Sequence, residues 1–208
     1  MSSPNDIQGI DVSHYQGTID WTTVKAAGIA FAYAKATDGN TYLDPMFQTN
    51  WSGMQAAGVL RGAYHFYETH DDPVTQANWF VANVGALGAG DLPPVVDIES
   101  YNGDYGGNSV AANLQIWLDT VETALGRRPM IYTNPSFWQQ TVGAGFSGYP
   151  LWIAEYGVSA PTVPTDWSRW NLWQYSQSGS VDGVDGSVDL DVFAAPDLGE
   201  LLRWMLTR

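Results

Sequence analysis

Apolar and polar positions along this chain alternate in short runs, each bounded by Gly, Pro or Asp. QGIDVS (8–13), IAFAYAKAT (29–37), VLRGAYHFY (59–67), LPPVVDIES (92–100) and PMIYTN (129–134) read as strands, because β-branched and aromatic residues cluster there at a two-residue period. Helical periodicity occupies WTTVKAAG (21–28), PMFQTNWSGMQAAG (45–58), PVTQANWFVANVGAL (73–87), VAANLQIWLDTVETALG (110–126) and PSFWQQTV (135–142). Gly28 and Gly58 close two of these helices, Pro73 stands near the start of another, and Asn108 or Ser109 caps the clearest one. After residue 142 the rhythm changes. PLWIAEY (150–156), NLWQYS (171–176) and SVDLDVF (187–193) are strands, but the segments between them are rich in Pro, Gly, Ser and Asp and supply no crossover helix.

Strands alternating with helices imply parallel pairing. Eight strands, helices after the first five and a partly antiparallel end predict an α/β fold: a modified TIM-like barrel of five β/α units followed by three β-strands. An open doubly wound sheet is the structural alternative. With no linker and no repeat of fixed period, residues 1–208 read as a single domain.

In such a barrel, working residues gather at the C-terminal ends of strands. VVDIES (95–100) carries two acids there, Asp97 and Glu99. Two positions along a strand separate Cα atoms by about 6.7 Å and put both side chains on one face. Like charges so placed raise each other's proton affinity, which suits a general acid. The bland reading is a pair of solvated strand-end acids, and D-x-E alone is a weak motif. Asp11 and Asp189 interrupt the apolar runs GIDVS and VDLDVF, and each taken alone reads as a buried acceptor. Tyr64, Tyr132, Trp152 and Trp173 fall late in or along other strands, and Tyr33 lies in the second.

Composition narrows the chemistry. The net charge of −14 argues against nucleic acid, because phosphate binding needs a basic face. No apolar run is long enough to span a bilayer. Met1-Ser-Ser-Pro has neither the basic start nor the apolar stretch of a signal peptide, so a signal has been removed or export takes another route. The absence of Cys excludes thiol chemistry. The three histidines, His14, His65 and His70, lack zinc-ligand spacing, and the Asp-rich segment 182–191 does not match an EF-hand. No metal or cofactor is expected. G-x-S-x-G is absent, and no G-x-G-x-x-G follows a strand, so neither a Ser-His-Asp hydrolase nor a nucleotide site is supported. A core uses some of the 10 Trp and 11 Tyr, about half by ordinary burial preference, but such rings also make the flat walls of carbohydrate sites.

Eight blocks in order, GIDVSHYQG, AKATDG, RGAYHF, PVVDIE, IYTN, LWIAEY, LWQYS and VDLDVF, resemble those of the glycoside hydrolase family 25 lysozymes and cover nearly the whole chain. The resemblance implies a barrel of five β/α units plus three strands. It implies N-acetylmuramidase activity on the β-1,4 bond between N-acetylmuramic acid and N-acetylglucosamine in bacterial peptidoglycan. It maps the catalytic acids onto Asp11, Asp97, Glu99 and Asp189, with Glu99 as general acid. Asp97 either steadies the substrate's own 2-acetamido group, giving retention, or acts as nucleophile or base. The tyrosines and tryptophans at 33, 64, 132, 152 and 173 are candidates for the sugar-lining surface or for core. One block departs from the family pattern: Asp191 stands where the family often has Asn, which leaves Asp189 and Asp191 as rivals for the site, with Asp189 favoured. The other readings are a sugar-binding barrel without turnover and a hydrolase of another N-acetylated glycan such as chitin. A monomer is expected, secreted or phage-encoded and released to the wall.

Overall fold

The structure, a computed structural model, describes residues 7–194. The ends of the expected 1–208 domain, residues 1–6 and 195–208, lie outside the described residues. Eight strands close a barrel: β1 (Ile7–Val12), β2 (Phe31–Asp38), β4 (Leu60–Phe66), β5 (Val95–Asp97), β6 (Met130–Thr133), β7 (Leu151–Ala154), β8 (Leu172–Gly179) and β9 (Val188–Phe193). A two-residue strand, β3 (Tyr42–Leu43), folds back on the end of β2. Pairing is parallel from β1 through β8. Within the ring only β9 runs the other way, between β8 and β1. Because β1 pairs with both β2 and β9, the sheet has no free edge within the ring, and the open-sheet alternative is excluded.

The helices α1 (Trp21–Ala26), α2 (Phe47–Ala57), α3 (Pro73–Val84), α4 (Val110–Leu125) and α5 (Pro135–Phe137) follow the first five barrel strands. Helix α4 shows why. Val110, Asn113, Leu114, Trp117, Leu118 and Val121 recur on one face and are all buried. Ser109, not Asn108, caps it: its hydroxyl accepts from the Ala112 N–H, and Gly126 at φ 63° ends it. Burying a side chain the size of Leu114 contributes about 1.5–3 kcal/mol. The stretch 138–142 continues α5 as a wider π turn rather than as α-helix.

Alternation divides the core in two. Phe31, Tyr33, Val95, Met130, Tyr132, Trp152, Leu172 and Phe193 fill the barrel. Ala32, Ala34, Val96, Ile131, Ile153 and Val192 face outward, against helix residues such as Phe80, Leu114 and Trp117.

One boundary differs from expectation with bearing on the site. The fourth expected strand, 92–100, is regular only over Val95–Asp97. Pro93 and Pro94 cannot donate to the ladder, which delays its start. Glu99 therefore sits just past the strand, although Ile98 N–H still donates to the Tyr132 carbonyl at 3.0 Å. The polar loop 100–109 holds a single 3-10 turn, Tyr105–Gly107, and is fastened by Asn102 to Thr69, His70 and Glu68. None of its residues lines the main cavity.

Candidate active site

Where the parallel strands end, the barrel opens into a cavity of about 210 Å³. Its wall takes Asp11 from β1, Lys35 from β2, Tyr64 and Phe66 from β4, Asp97 and Glu99 from β5 and the residues after it, Tyr132 from β6, Trp152 from β7, Gln174 from β8 and Asp189 from β9. Seven of the nine residues singled out from sequence meet here.

The other two do not. Tyr33 points into the barrel, but its ring lies across Gly62, where a Cβ would come within 2.1 Å of it. Its hydroxyl donates to the Pro93 carbonyl at 3.2 Å, towards the closed end. Trp173 adjoins Gln174, so when Gln174 faces in, Trp173 faces out. It packs with Trp170 and Tyr175 and donates to the Glu155 carbonyl at 2.9 Å.

The acids form a crowded set. Asp11 and Asp97 are buried, Glu99 and Asp189 half-buried. Burial pushes the Asp11 carboxyl well up, with Asp189 and Glu99 adding to it, while a hydrogen bond from Gln174 opposes. Burial also raises Asp97 well above the usual carboxylate range, and Glu99 raises it further. Glu99 is raised by burial and by Asp189. Burial raises Asp189, and a hydrogen bond with Asp11 opposes. Asp97 Oδ1 is buried with no hydrogen-bond partner.

One cation answers this crowd. Among the described residues Lys35 is the one Lys or Arg in the cavity wall, and it lowers both Asp97 and Glu99. Its Nζ lies 2.7 Å from Asp38 Oδ2 and 4.6 Å from the Phe66 ring centre. Gln174 is the polar hub. Its Nε2 donates to Asp11 Oδ2 at 2.6 Å, and its Oε1 accepts from the hydroxyls of Tyr132, at 2.8 Å, and Tyr156. Trp152 meets the Tyr132 ring edge-on at 4.9 Å, a fixed aromatic wall.

The turn after β1 completes the rim. The Ser13 hydroxyl accepts from Tyr15 N–H, and Gln16 Oε1 accepts from Ser13 N–H at 2.9 Å, a reciprocal cap. His14 is pinned to buried Asp44 at 2.8 Å. Tyr15, 84% exposed, is thereby held out over the cavity.

Lys35, Tyr15 and Gln16 were not singled out from sequence, and Gln174 only as a polar residue along its strand. Lys35 between two alanines and Gln174 within LWQYS are polar residues in otherwise apolar strands, and that was the available signal. Both rivals on β9, Asp189 and Asp191, point inward, being two apart; Asp189 reaches the cavity and Asp191 lies a layer deeper. Among the described residues no group of His, Asp and Glu is arranged to hold a metal ion.

A barrel whose open end gathers paired carboxyls and aromatic walls has the build of a glycoside hydrolase. The model of Glycosyl hydrolases family 25 matches residues 10–184. Lysozyme M1 of Streptomyces globisporus is 40% identical over 198 residues, spanning 90% of this chain and 67% of that protein. The N,O-diacetylmuramidase of Chalaropsis sp is 34% identical over 205 residues, spanning 88% and 96%. The crystal structure of the bacterial lysozyme from Streptomyces coelicolor superposes with a TM-score of 0.92 at 38% identity, covering 99% of both chains. The chain belongs to glycosyl hydrolase family 25.

Proposed function

We propose that the chain is a lysozyme that hydrolyses the β-1,4 bond between N-acetylmuramic acid and N-acetylglucosamine in peptidoglycan. The observation that carries this reading is the Asp97–Glu99 pair on the wall of an open, aromatic-lined cavity in a family 25 chain. Tyr64, Tyr132 and Trp152 supply ring faces and edges for sugars, and Asp11 and Asp189 support the pair from β1 and β9.

In the free protein burial raises both Asp97 and Glu99. An N-acetylated sugar tells the two apart. Its acetamido N–H donates to the Asp97 carboxylate where that residue lines the cavity, which favours the Asp97 anion and leaves the proton on Glu99. Glu99 then gives that proton to the glycosidic oxygen as the C1–O bond breaks, and the acetamido oxygen closes on C1. Asp97 stabilises the positive ring so formed. Water opens it, returning its proton to Glu99, with net retention. This is the substrate-assisted exception to the two-carboxylate scheme.

The same reading makes residues 1–208 one catalytic unit, monomeric, without metal or cofactor, working at the bacterial wall after secretion or phage release. No helix among the described residues is long and apolar enough to cross a membrane.

Mass spectrometry of digested peptidoglycan tests the function. New reducing-end muramic acid is expected. Binding without turnover would mean a sugar-binding barrel, and faster turnover of chitin oligomers a different glycan. Proton NMR during early turnover tests the route: the β anomer forms first under retention, and first formation of the α anomer overturns it.

A further inference from the structure

Asp191 is the most deeply buried acid of the barrel, with no exposed surface, and the reaction above leaves it without a task. It stands on β9 opposite Gly9 of β1 and Gln174 of β8. Its Oδ1 accepts from the Trp152 indole N–H at 2.9 Å. Its Oδ2 is buried and receives no donor.

The groups that face it explain the problem. From β1 and from its own strand come two acids, Asp11 and Asp189. From β2 comes Tyr33, whose hydroxyl is already committed to Pro93. From β7 comes Trp152, bonded to the other oxygen. From β8 comes Gln174, whose amide donates to Asp11 and whose carbonyl is taken by Tyr132 and Tyr156. An Asp191 anion would have one hydrogen bond, two anionic neighbours and no cation, at full burial. That is the costly case for a buried charge. A proton on Oδ2 removes the charge and turns the unpartnered oxygen into a donor, with the Asp11 carboxylate as acceptor.

We propose that Asp191 is a neutral carboxylic acid that donates its O–H to Asp11 and so positions that carboxylate in the cavity wall. Burial and the neighbouring Asp11 push its proton affinity up, in agreement. Asp11 then receives two donors, the Asp191 O–H and the Gln174 amide, which fix its carboxyl plane against the repulsion of Asp189 and Glu99. Asp191 is thus a positioning residue. The inference rests on the lysozyme reading only in giving Asp11 work to do.

Asp191→Asn and Asp191→Leu separate the possibilities. The amide is close in size and also donates, so Asp191→Asn is expected to keep kcat/KM within about threefold of wild type. Asp191→Leu cannot donate, and kcat is expected to fall about 10–100-fold with little change in KM, the range typical of residues that orient a working group. Infrared difference spectroscopy of wild type against Asp191→Asn at pH 6 is expected to show the C=O stretch of a protonated carboxylic acid, moving in D2O. A difference spectrum showing only carboxylate bands overturns the neutral acid. An Asp191→Asn protein that keeps its fold by circular dichroism but loses more than tenfold in kcat/KM overturns the positioning role. If Asp191→Leu fails to fold, those two measurements still decide. The infrared result does not depend on activity, so it stands even if peptidoglycan proves not to be the substrate.

Discussion

The two ends of the barrel handle charge in opposite ways. At the closed end, Arg61 meets Asp91 through two contacts, Nε to Oδ1 at 2.7 Å and Nη2 to Oδ2 at 3.4 Å, and lies 4.0 Å over the Trp51 ring. Asp91 Oδ2 also accepts from Gly88 N–H at 2.7 Å, and Arg127 donates to the carbonyls of Asp91 and Gly88. Each of these charges has a partner of opposite sign or donates to backbone carbonyls. At the open end, Asp11, Asp97, Glu99 and Asp189 share a cavity with Lys35 as the one Lys or Arg in its wall among the described residues. The closed end is built for stability. The open end is held in an electrostatically unfavourable state that raises the proton affinity of its carboxyls, the direction a general acid needs.

Removing an acid from each end should therefore break different things. Glu99→Gln is expected to cut kcat 10²–10⁴-fold, the usual cost of losing a general acid. Its Tm should stay level or rise, since a crowded, partly buried acid has been removed. A variant that retains more than about a tenth of wild-type rate rules Glu99 out as the acid. Asp91→Ala is the reverse case. It leaves the half-buried Arg61 guanidinium without its carboxylate and is expected to cost about 1–3 kcal/mol in denaturant unfolding, with kcat of the folded protein unchanged. Equal stability would mean that the closed-end pair holds nothing together.

The contrast also marks how far sequence reading reached. Barrel strands were legible because both faces are apolar or alternate at period two, and the five intervening helices because stretches such as 110–126 repeat at 3.6. The acids stood out because Asp11, Asp97 and Asp189 interrupt those runs. Partners were harder to see. A lone glutamine or lysine in a strand shows that something polar faces it, not what, and Gln174 gains its meaning from Asp11, 163 positions away. Aromatics misled for a related reason. Tyr33 and Trp173 have the same composition signal as Tyr132 and Trp152, but the space beside Gly62 and the neighbour of an inward Gln decide their direction. The flap Tyr42–Leu43 is too short for any period to show.

A pH titration of stability sharpens the comparison from outside the barrel. His65 is fully buried between the sheet and α3 and stacks on Trp117 at 5.5 Å. Gln76 Oε1 already accepts from Glu68 N–H, so it is an acceptor towards His65 Nε2–H, and Nδ1 accepts from the Thr37 hydroxyl at 2.8 Å. Burial holds the ring neutral, its pKa lowered to about 3. The unfolded ring titrates at about 6.5 and takes up a proton that the folded one refuses. The stability this group contributes is present above pH 6.5 and is lost as pH falls towards 3, at up to about 1.4 kcal/mol per pH unit. The raised acids of the open end work the other way: their folded proton affinity exceeds the unfolded one, so their contribution is favourable at low pH and lost as pH rises. His65→Gln is expected to flatten the acid side of the wild-type stability curve. An unchanged slope between pH 6 and 4 would exclude His65 as its source.

The smallest expected effect comes from Lys35→Met. The lysine lowers both Asp97 and Glu99, so its loss should raise both. It is bonded to Asp38 and to ring faces rather than to Asp97 or Glu99, so the cavity should keep its shape. With the pair titrating higher, the whole kcat/KM profile against pH should move to higher pH, both limbs together, with its maximum little changed. The displacement isolates the electrostatic part of the site, because no donor or acceptor of the reaction has been altered. If the profile keeps its position while the maximum falls, Lys35 acts by touching substrate, and the balance of acids is set by burial and by one another.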